Sequence, residues 1–194
     1  MANSILLLVG LGNPGREYEE TRHNAGALLV ETLARDAGAP LRPERKFHGL
    51  YSRINLKHHE LHLLNPTTFM NRSGAAVGAL AQFYKIAPDQ ILVAHDELDI
   101  PPGTARIKKG GGHGGHNGLR DIIAHLGSND FYRLRLGIGH PGDKAQVVNY
   151  VLGRFGISER QSFDQLCTEC IRVLPLMMDG ELPKAMNQLH AFKA

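Results

Sequence analysis

Several side chains that could do acid–base chemistry follow segments predicted to be β-strands. Asn13 and then His23 come after the first apolar segment, and Asp96 comes at the end of a later one. The asparagines that follow other strands or end a glycine-rich loop are Asn65, Asn71 and Asn117. A neutral imidazole can take a proton from water, a carboxylate can fix its tautomer, and amides can hold an oxyanion or orient a substrate. In open α/β sheets such strand ends form the site, so this set predicts general-base hydrolysis.

The sequence offers little for catalysis by a side-chain nucleophile. No serine lies in a nucleophile-elbow motif. Cys167 and Cys170 form a C-x-x-C pair inside a predicted long helix. A redox pair would normally lie where a strand leads into a helix, and a structural zinc would need two more ligands. We therefore expect two ordinary buried thiols.

The segment 108–121, with the sequence KKGGGHGGHNGLRD, is unusually rich in glycine. A basic pair leads into a loop whose glycines leave the backbone open to close approach by another molecule. Asn117 is a good N-cap residue and precedes apolar residues at helical spacing. Because a helix N-terminus favours negative charge, the segment predicts a phosphate-bearing partner. The alternative is a flexible surface linker, which the two histidines and the capping asparagine disfavour.

Gly10, Gly12 and Gly15 match the dinucleotide-binding pattern G-x-G-x-x-G and follow a predicted strand. That pattern should lead directly into a helix, but Pro14 and the polar segment 16–23 intervene. The next predicted strand, 49–56, runs into Lys57 rather than into the acidic residue that would hold a ribose. The sequence therefore argues against a nicotinamide or flavin site.

Composition limits the class of protein. The 194 residues are enough for one well-buried domain, which we expect to span 1–194. Hydrophobic residues make up 42% and charged residues 21%, which is typical of globular proteins. No apolar segment is long enough to cross a membrane, and the N-terminus lacks the basic region of a signal peptide, so we expect a cytoplasmic protein. A sequence pI near 9.0 permits a nucleic-acid partner.

Strands and helices alternate along the sequence. This order predicts an α/β fold, a three-layer αβα sandwich with a mixed, partly parallel twisted sheet. The predicted strands are 4–10, 49–56, 60–64, 90–94, 104–109 and 131–138, and 42–46 is read as a charged connection. The predicted helices are 25–37, one ending near 84, one after Asn117, 145–152, one capped by Ser158 that ends near 178, and 182–192.

Six motifs lie along nearly the whole chain: NPG at 13–15, TRHNAG at 21–26, PTTFMN at 66–71, HDE at 95–97, GGGHGGHNG at 110–118 and RLRLGIGHP at 133–141. Together they closely resemble bacterial peptidyl-tRNA hydrolase. The resemblance implies cleavage of the ester between a peptide and the 3′-terminal ribose of tRNA, without metal or cofactor, which recycles stalled or dropped-off peptidyl-tRNA. It implies that His23 activates water, that Asp96 orients His23, and that Asn13 separates N-blocked from free aminoacyl substrates.

The resemblance also implies how the substrate is held. Tyr18, Phe69, Asn71 and Asn117 match positions that bind the peptide and the 3′ CCA end of the tRNA, and His116 is counted with them. Lys108 and Arg135 match a basic grip on acceptor-stem phosphates, which Lys144 is expected to extend. The family further implies a monomer.

Three other functions explain less of the sequence. A non-catalytic RNA-binding module leaves His23 and Asp96 without a role, and only 6% of the residues are aromatic, few for the stacking surfaces of common RNA readers. A nucleotide-dependent oxidoreductase explains only the glycines at 10–15. A metallohydrolase using His113 and His116 would be sensitive to chelators.

Overall fold

The computed structural model describes residues 4–194. One seven-stranded sheet forms its centre, with the strand order β2-β3-β4-β1-β5-β7-β6. The strands are β1 (Leu7–Gly10), β2 (Arg42–Glu44), β3 (Gly49–Leu56), β4 (His59–Pro66), β5 (Ile91–Glu97), β6 (Ala105–Lys109) and β7 (Tyr132–Gly137). The helices are α1 (Ala25–Asp36), α2 (Ser73–Tyr84), α3 (Asn117–Leu126), α4 (Val147–Val151), α5 (Ile157–Met178) and α6 (Leu182–His190).

The four central strands run in the same direction. β1 pairs in parallel with both β4 and β5, and β5 pairs in parallel with β7. The pairings on the two sides of the sheet are antiparallel: β3 pairs with both β2 and β4, and β6 pairs with β7. The predicted mixed, partly parallel sheet is confirmed. All four parallel strands end at the same edge, which is where sites form in such sheets.

Helices cover both faces of the sheet. Alternate residues of β1 enter different cores: Leu8 packs with residues of α1, α5 and α6, whereas Leu7 and Val9 pack with residues of α2 and α3. This alternation follows from the two-residue period of a strand and explains why buried parallel strands are apolar throughout. The predicted three layers are therefore confirmed. The single domain over 1–194 stays a prediction.

Several local predictions need correction. The first strand begins at Leu7 rather than at residue 4. The charged connection contains the edge strand β2, because a sheet edge needs only backbone pairing and accepts charged residues and proline. Helix α5 begins after Gly156 rather than at Ser158, because the Glu159 carboxylate accepts the Gly156 backbone N–H at 2.9 Å and completes the cap there.

Cys167 and Cys170 are buried free thiols in α5, as predicted. Burial raises the pKa of Cys167 to about 12. Within residues 4–194, every helix is too short or too polar to span a membrane.

Candidate active site

A groove of about 1190 Å³ opens at the carboxyl ends of the parallel strands. Asn13 follows β1, and Asp96 is the last residue but one of β5. His23 lies in the short 3-10 turn Arg22–Asn24 that leads into α1. The predicted site residues that line the groove are Asn13, His23, Phe69, Asn71, Asp96, His116, Asn117 and Lys144.

The remaining predicted site residues, Tyr18, Lys108 and Arg135, lie outside the groove lining. Lys108 is exposed on β6. Arg135 lies on β7 and donates from Nε to Glu97, which does line the groove, at 2.9 Å. The cations predicted to hold tRNA phosphates are therefore divided between the groove, which has Lys144, and strands beside it.

His23 and Asp96 form a bidentate hydrogen bond. Nδ1 of His23 lies 3.0 Å from Oδ1 and 2.9 Å from Oδ2 of Asp96. An ionised carboxylate only accepts, so the network assigns the imidazole proton to Nδ1. The Nε2 lone pair is then available in the groove. This is the orientation that a general base needs toward a water molecule.

The pair shifts both acid–base equilibria. Burial lowers the pKa of His23, but the charge of Asp96 and the hydrogen bond to it outweigh burial and raise the pKa above its usual value. Burial raises the pKa of Asp96, which is only 5% exposed, but His23 and His116 outweigh that effect and hold the pKa well below its usual range. Asp96 therefore remains an anion wherever the protein is folded near neutral pH.

His116 is the second partner of Asp96. Its Nε2 lies 2.9 Å from Asp96 Oδ1, while its Nδ1 accepts the backbone N–H groups of Gly118 and Leu119 at 3.2 and 3.4 Å. The predicted Asn117 cap is therefore wrong: His116 caps α3, and Asn117 is the first residue of the helix. The physical reason is tertiary, because the His116 ring can cap the helix and bind Asp96 at the same time.

His95 contacts both Asp96 and His116, and the sequence reasoning did not assign it a role. Its Nδ1 donates to the backbone carbonyl of Asp96 at 2.8 Å, and its ring packs edge-on against His116. Burial lowers the pKa of His95 to about 3, so the ring is neutral. Its position directly before Asp96 was the only signal in the sequence.

Asn13 is held by both its backbone and its side chain. Its backbone N–H donates to Asn24 Oδ1 at 2.8 Å, and its carbonyl accepts from Asn24 Nδ2 at 3.0 Å. Its side-chain Oδ1 accepts the Met70 N–H at 2.7 Å. Because Oδ1 is occupied, the Asn13 side chain presents its Nδ2 donor to the groove. Asn24, which the sequence reasoning did not assign a role, holds the Asn13 backbone, and the Met70 N–H orients the Asn13 side chain.

The segment that carries His23 is tied to the helices behind it. Arg22 donates from Nε and Nη2 to Glu159 at 2.8 and 3.0 Å, and from Nη1 to the Tyr150 carbonyl at 3.0 Å. The guanidinium also lies 4.1 Å from the Tyr150 ring centroid. These contacts join the site segment to α4 and to the start of α5, and they were not predicted.

An apolar wall forms one side of the groove. It consists of Phe69 together with Val147, Val148, Val151 and Leu152 from α4 and the residue after it. Phe69 is 59% exposed, Val148 66% and Leu152 38%. Exposed apolar side chains grouped along a groove favour binding of an apolar ligand. The V-V-x-x-V-L spacing of 147–152 carried this signal in the sequence.

His23, Asp96 and His116 could be considered as metal ligands, since one donor atom from each lies within 4.8 Å of the others. A metal on His116 Nε2 would require the remaining proton of that neutral ring to sit on Nδ1. Nδ1 already accepts the N–H groups of Gly118 and Leu119, so two donors would then face each other. The hydrogen-bond network therefore does not fit a resident metal at these atoms.

A groove at the carboxyl ends of parallel strands, with a half-buried His23 bonded to a buried Asp96 at its base, defines an α/β enzyme of the hydrolytic class. Comparison with known proteins is consistent with that class. A family model described as peptidyl-tRNA hydrolase matches residues 7–194. The chain belongs to the peptidyl-tRNA hydrolase family, and the family predicted from the sequence motifs is confirmed.

Similar proteins match over nearly their whole length. The peptidyl-tRNA hydrolase of Marinobacter nauticus is 66% identical over 193 residues, which cover 100% of this chain and 98% of the relative. That of Chromohalobacter salexigens is 60% identical, with 99% of this chain and 100% of the relative covered. The crystal structure of peptidyl-tRNA hydrolase from Acinetobacter baumannii superposes with a TM-score of 0.94 at 51% identity, covering 100% of this chain and 97% of that one.

Proposed function

We propose that the chain hydrolyses the ester between the peptide and the 3′-terminal ribose of peptidyl-tRNA, with His23 as the general base. The observation that carries this proposal is the bidentate bond from His23 Nδ1 to Asp96, which leaves Nε2 free in the groove. A substrate ester is already an activated acyl group. A positioned base that contributes roughly 10²–10⁴-fold is therefore sufficient together with an oxyanion donor.

In the proposed reaction, a water molecule gives a proton to His23 Nε2 as its oxygen attacks the ester carbonyl carbon. The imidazolium that forms is stabilised by the Asp96 carboxylate. The tetrahedral intermediate then expels the ribose oxygen, which takes the proton back from Nε2. The products are a peptide carboxylic acid, which loses its proton to solvent, and a tRNA with its terminal hydroxyl restored, and His23 returns to its starting form.

Asn13 is proposed to select N-blocked substrates. Its Oδ1 accepts the Met70 N–H, and its Nδ2 is the donor that it offers to a substrate in the groove. A peptide offers this donor the carbonyl that precedes the last residue. An unblocked aminoacyl-tRNA lacks that carbonyl and brings an ammonium group, which cannot accept from Nδ2.

The rest of the groove is proposed to hold the two parts of the substrate. The apolar wall, with its exposed Phe69 and Val148, fits peptide side chains. Asn71 and Asn117 line the groove and fit the 3′ CCA end. The residues proposed to meet tRNA outside or at the rim of the groove are Tyr18, Lys108, Arg135 and Lys144. His116 acts through Asp96 in this proposal.

The proposal further includes a monomeric, single-domain enzyme that works in the cytoplasm, where translation supplies peptidyl-tRNA. No metal or cofactor takes part in the proposed steps.

The test is release of N-acetyl-aminoacyl groups from tRNA, compared with release of unblocked aminoacyl groups, each with and without EDTA. Cleavage of the blocked substrate alone, at the same rate with the chelator, is expected. Retained tRNA binding with no cleavage would favour an RNA-binding module, and loss of cleavage in EDTA would favour a metallohydrolase.

A further inference from the structure

Arg133 is a buried cation that the proposed reaction does not use. It lies on β7 and is only 2% exposed. Its guanidinium carbon lies 4.6 Å from the centroid of the Phe131 ring. Within residues 4–194, no carboxylate is within ion-pair distance of Arg133, although its neighbour Arg135 pairs with Glu97. A cation buried without an anion needs neutral acceptors for its N–H groups.

Two of those acceptors are backbone carbonyls of the glycine loop, residues 110–116. Nη1 of Arg133 donates to the Gly112 carbonyl and Nη2 donates to the Gly111 carbonyl at 2.7 Å. Nη2 also lies 3.5 Å from the Asn129 carbonyl, just before β7. The planar guanidinium fork can hold two successive carbonyls at once, whereas a lysine ammonium cannot reproduce that geometry.

The glycine loop has little else to define its shape. Gly110, Gly111, Gly114 and Gly115 all have positive φ, a region that glycine enters readily and that leaves the unbound loop many conformations. Between residues 111 and 115, the hydrogen bonds to the rest of the described chain both come from Arg133. The other bonds of this stretch, from Gly115 and His116 to His113, remain inside the loop.

The end of the loop enters the site. His116 binds Asp96 and Asn117 lines the groove, so the path of the loop decides where both side chains lie. We propose that Arg133 is a positioning residue of this hydrolase, which fixes the glycine loop so that the His116 ring keeps its bond to Asp96. The proposal rests on the proposed roles of His116 and Asp96 in the reaction.

The experiment compares Arg133→Met and Arg133→Lys with the unchanged protein. Initial rates on N-acetyl-aminoacyl-tRNA give kcat and KM across pH, and long-range ¹H–¹⁵N spectra report which ring nitrogen of His116 carries the proton. The control is Arg53→Met, which removes an exposed strand arginine paired with Glu60 outside the groove. Thermal unfolding of each variant is measured in parallel.

We expect kcat of Arg133→Met to fall roughly 10- to 100-fold, the scale of a misplaced catalytic group. KM should change less. In Arg133→Met, the ring proton of His116 should be distributed between Nδ1 and Nε2 instead of lying on Nε2 alone. His116 lowers the pKa of Asp96. When the bond between them is lost, the Asp96 carboxylate should stabilise the protonated form of His23 more strongly. The pKa of His23 should then rise, and the acid limb of the kcat profile should move to higher pH. Arg133→Lys should restore only part of kcat.

An unchanged kcat, or a lowered kcat with the His116 signal unchanged, would overturn the proposal. If Arg133→Met does not fold, the same readouts on Arg133→Lys decide the question. His116→Ala separates two questions: whether His116 contributes to the reaction, and whether Arg133 holds the glycine loop. Full activity in that variant would remove His116 from the reaction, while the loss of its fixed tautomer in Arg133→Met would still establish that Arg133 holds the loop.

Discussion

The floor of the groove, formed by Asn13, His23, Asp96 and His116, differs from its rim, formed by Phe69, Asn71, Lys144, Val148 and Leu152. On the floor, half-buried or buried polar groups bind one another and Met70, so each has one orientation. On the rim, side chains are exposed and few of their polar atoms are bonded. Fixed groups can act on a transition state without rearrangement, whereas exposed groups can adapt to different substrates. Substitutions of His23 and Asp96 on the floor should therefore lower kcat, and those of apolar side chains on the rim should raise KM.

The largest effect is expected for His23→Ala. Loss of the base should lower kcat by roughly 10²–10⁴-fold, with tRNA affinity nearly unchanged. The control is His125→Ala, an exposed histidine of α3 that does not line the groove. Turnover in His23→Ala close to that of the unchanged protein would remove His23 from its proposed role.

Asp96→Asn should keep the fold and lower the pH-independent kcat by roughly 10²-fold, because the imidazole loses its orientation. The Asp96 charge raises the pKa of His23 against the opposing effect of burial. Without that charge burial prevails, so the pKa of His23 falls and the acid limb of the rate profile moves to lower pH.

Asp179→Asn provides the matched control for Asp96→Asn, since Asp179 pairs with His59 at an exposed position outside the groove. A rate profile of Asp96→Asn with its acid limb unmoved would contradict the assignment of that limb to His23.

Asn13→Asp should change selectivity more than rate. A carboxylate can still accept the Met70 N–H, but its second oxygen would present an acceptor where Asn13 presents a donor. Activity on unblocked aminoacyl-tRNA should rise relative to the blocked form. Asn149→Asp adds the same charge on the exposed side of α4 and should leave the ratio unchanged. An unchanged ratio in Asn13→Asp would refute the selection by Nδ2.

On the rim, Val148→Ser should raise KM for substrates with large apolar side chains by about fivefold, equivalent to about 1 kcal/mol of lost apolar burial. KM for N-acetyl-glycyl-tRNA should hardly change. Ile157→Ser, at an exposed apolar residue outside the groove, is the control. An equal rise for both substrates would mean that Val148 does not contact the peptide.

The smallest effect is expected for Lys108→Ala, which should weaken tRNA binding about equally for all peptides. Loss of one phosphate contact should reduce the slope of log affinity against log salt by about 0.7–0.9. Lys57→Ala, at the exposed turn of the β3–β4 hairpin, should leave the slope as it is. An equal slope in both variants would mean that Lys108 does not contact a tRNA phosphate.

Much of the floor could be predicted from the sequence because it depends on strand ends. Buried parallel strands can be recognised in the sequence as apolar segments, and the carboxyl ends of parallel strands lie at one edge of the sheet. That reasoning brought Asn13, His23 and Asp96 together although His23 and Asp96 are 73 residues apart. Family resemblance then supplied the roles, which the geometry supports but which remain proposals.

Contacts made by tertiary packing could not be predicted in the same way. Asparagine is the better helix cap by local preference, and only the position of Asp96 explains why His116 takes that place. The reciprocal amide contacts of Asn13 and Asn24, and the ties from Arg22 to Glu159, likewise join segments that no local pattern relates. The edge strand β2 lacks an apolar pattern because one of its edges faces solvent.

The position of β7 determines when, during its own synthesis on the ribosome, the enzyme can become active. β7 lies between β5 and β6 in the sheet but follows both in sequence, so β6 cannot pair until residues 132–137 have been made. Arg133, which holds the glycine loop, lies on that same late strand. Such long-range pairing folds slowly. A nascent chain that has not yet exposed β7 would carry His23 and Asp96 without a fixed His116, and its hydrolytic activity would arise only near the end of its own translation.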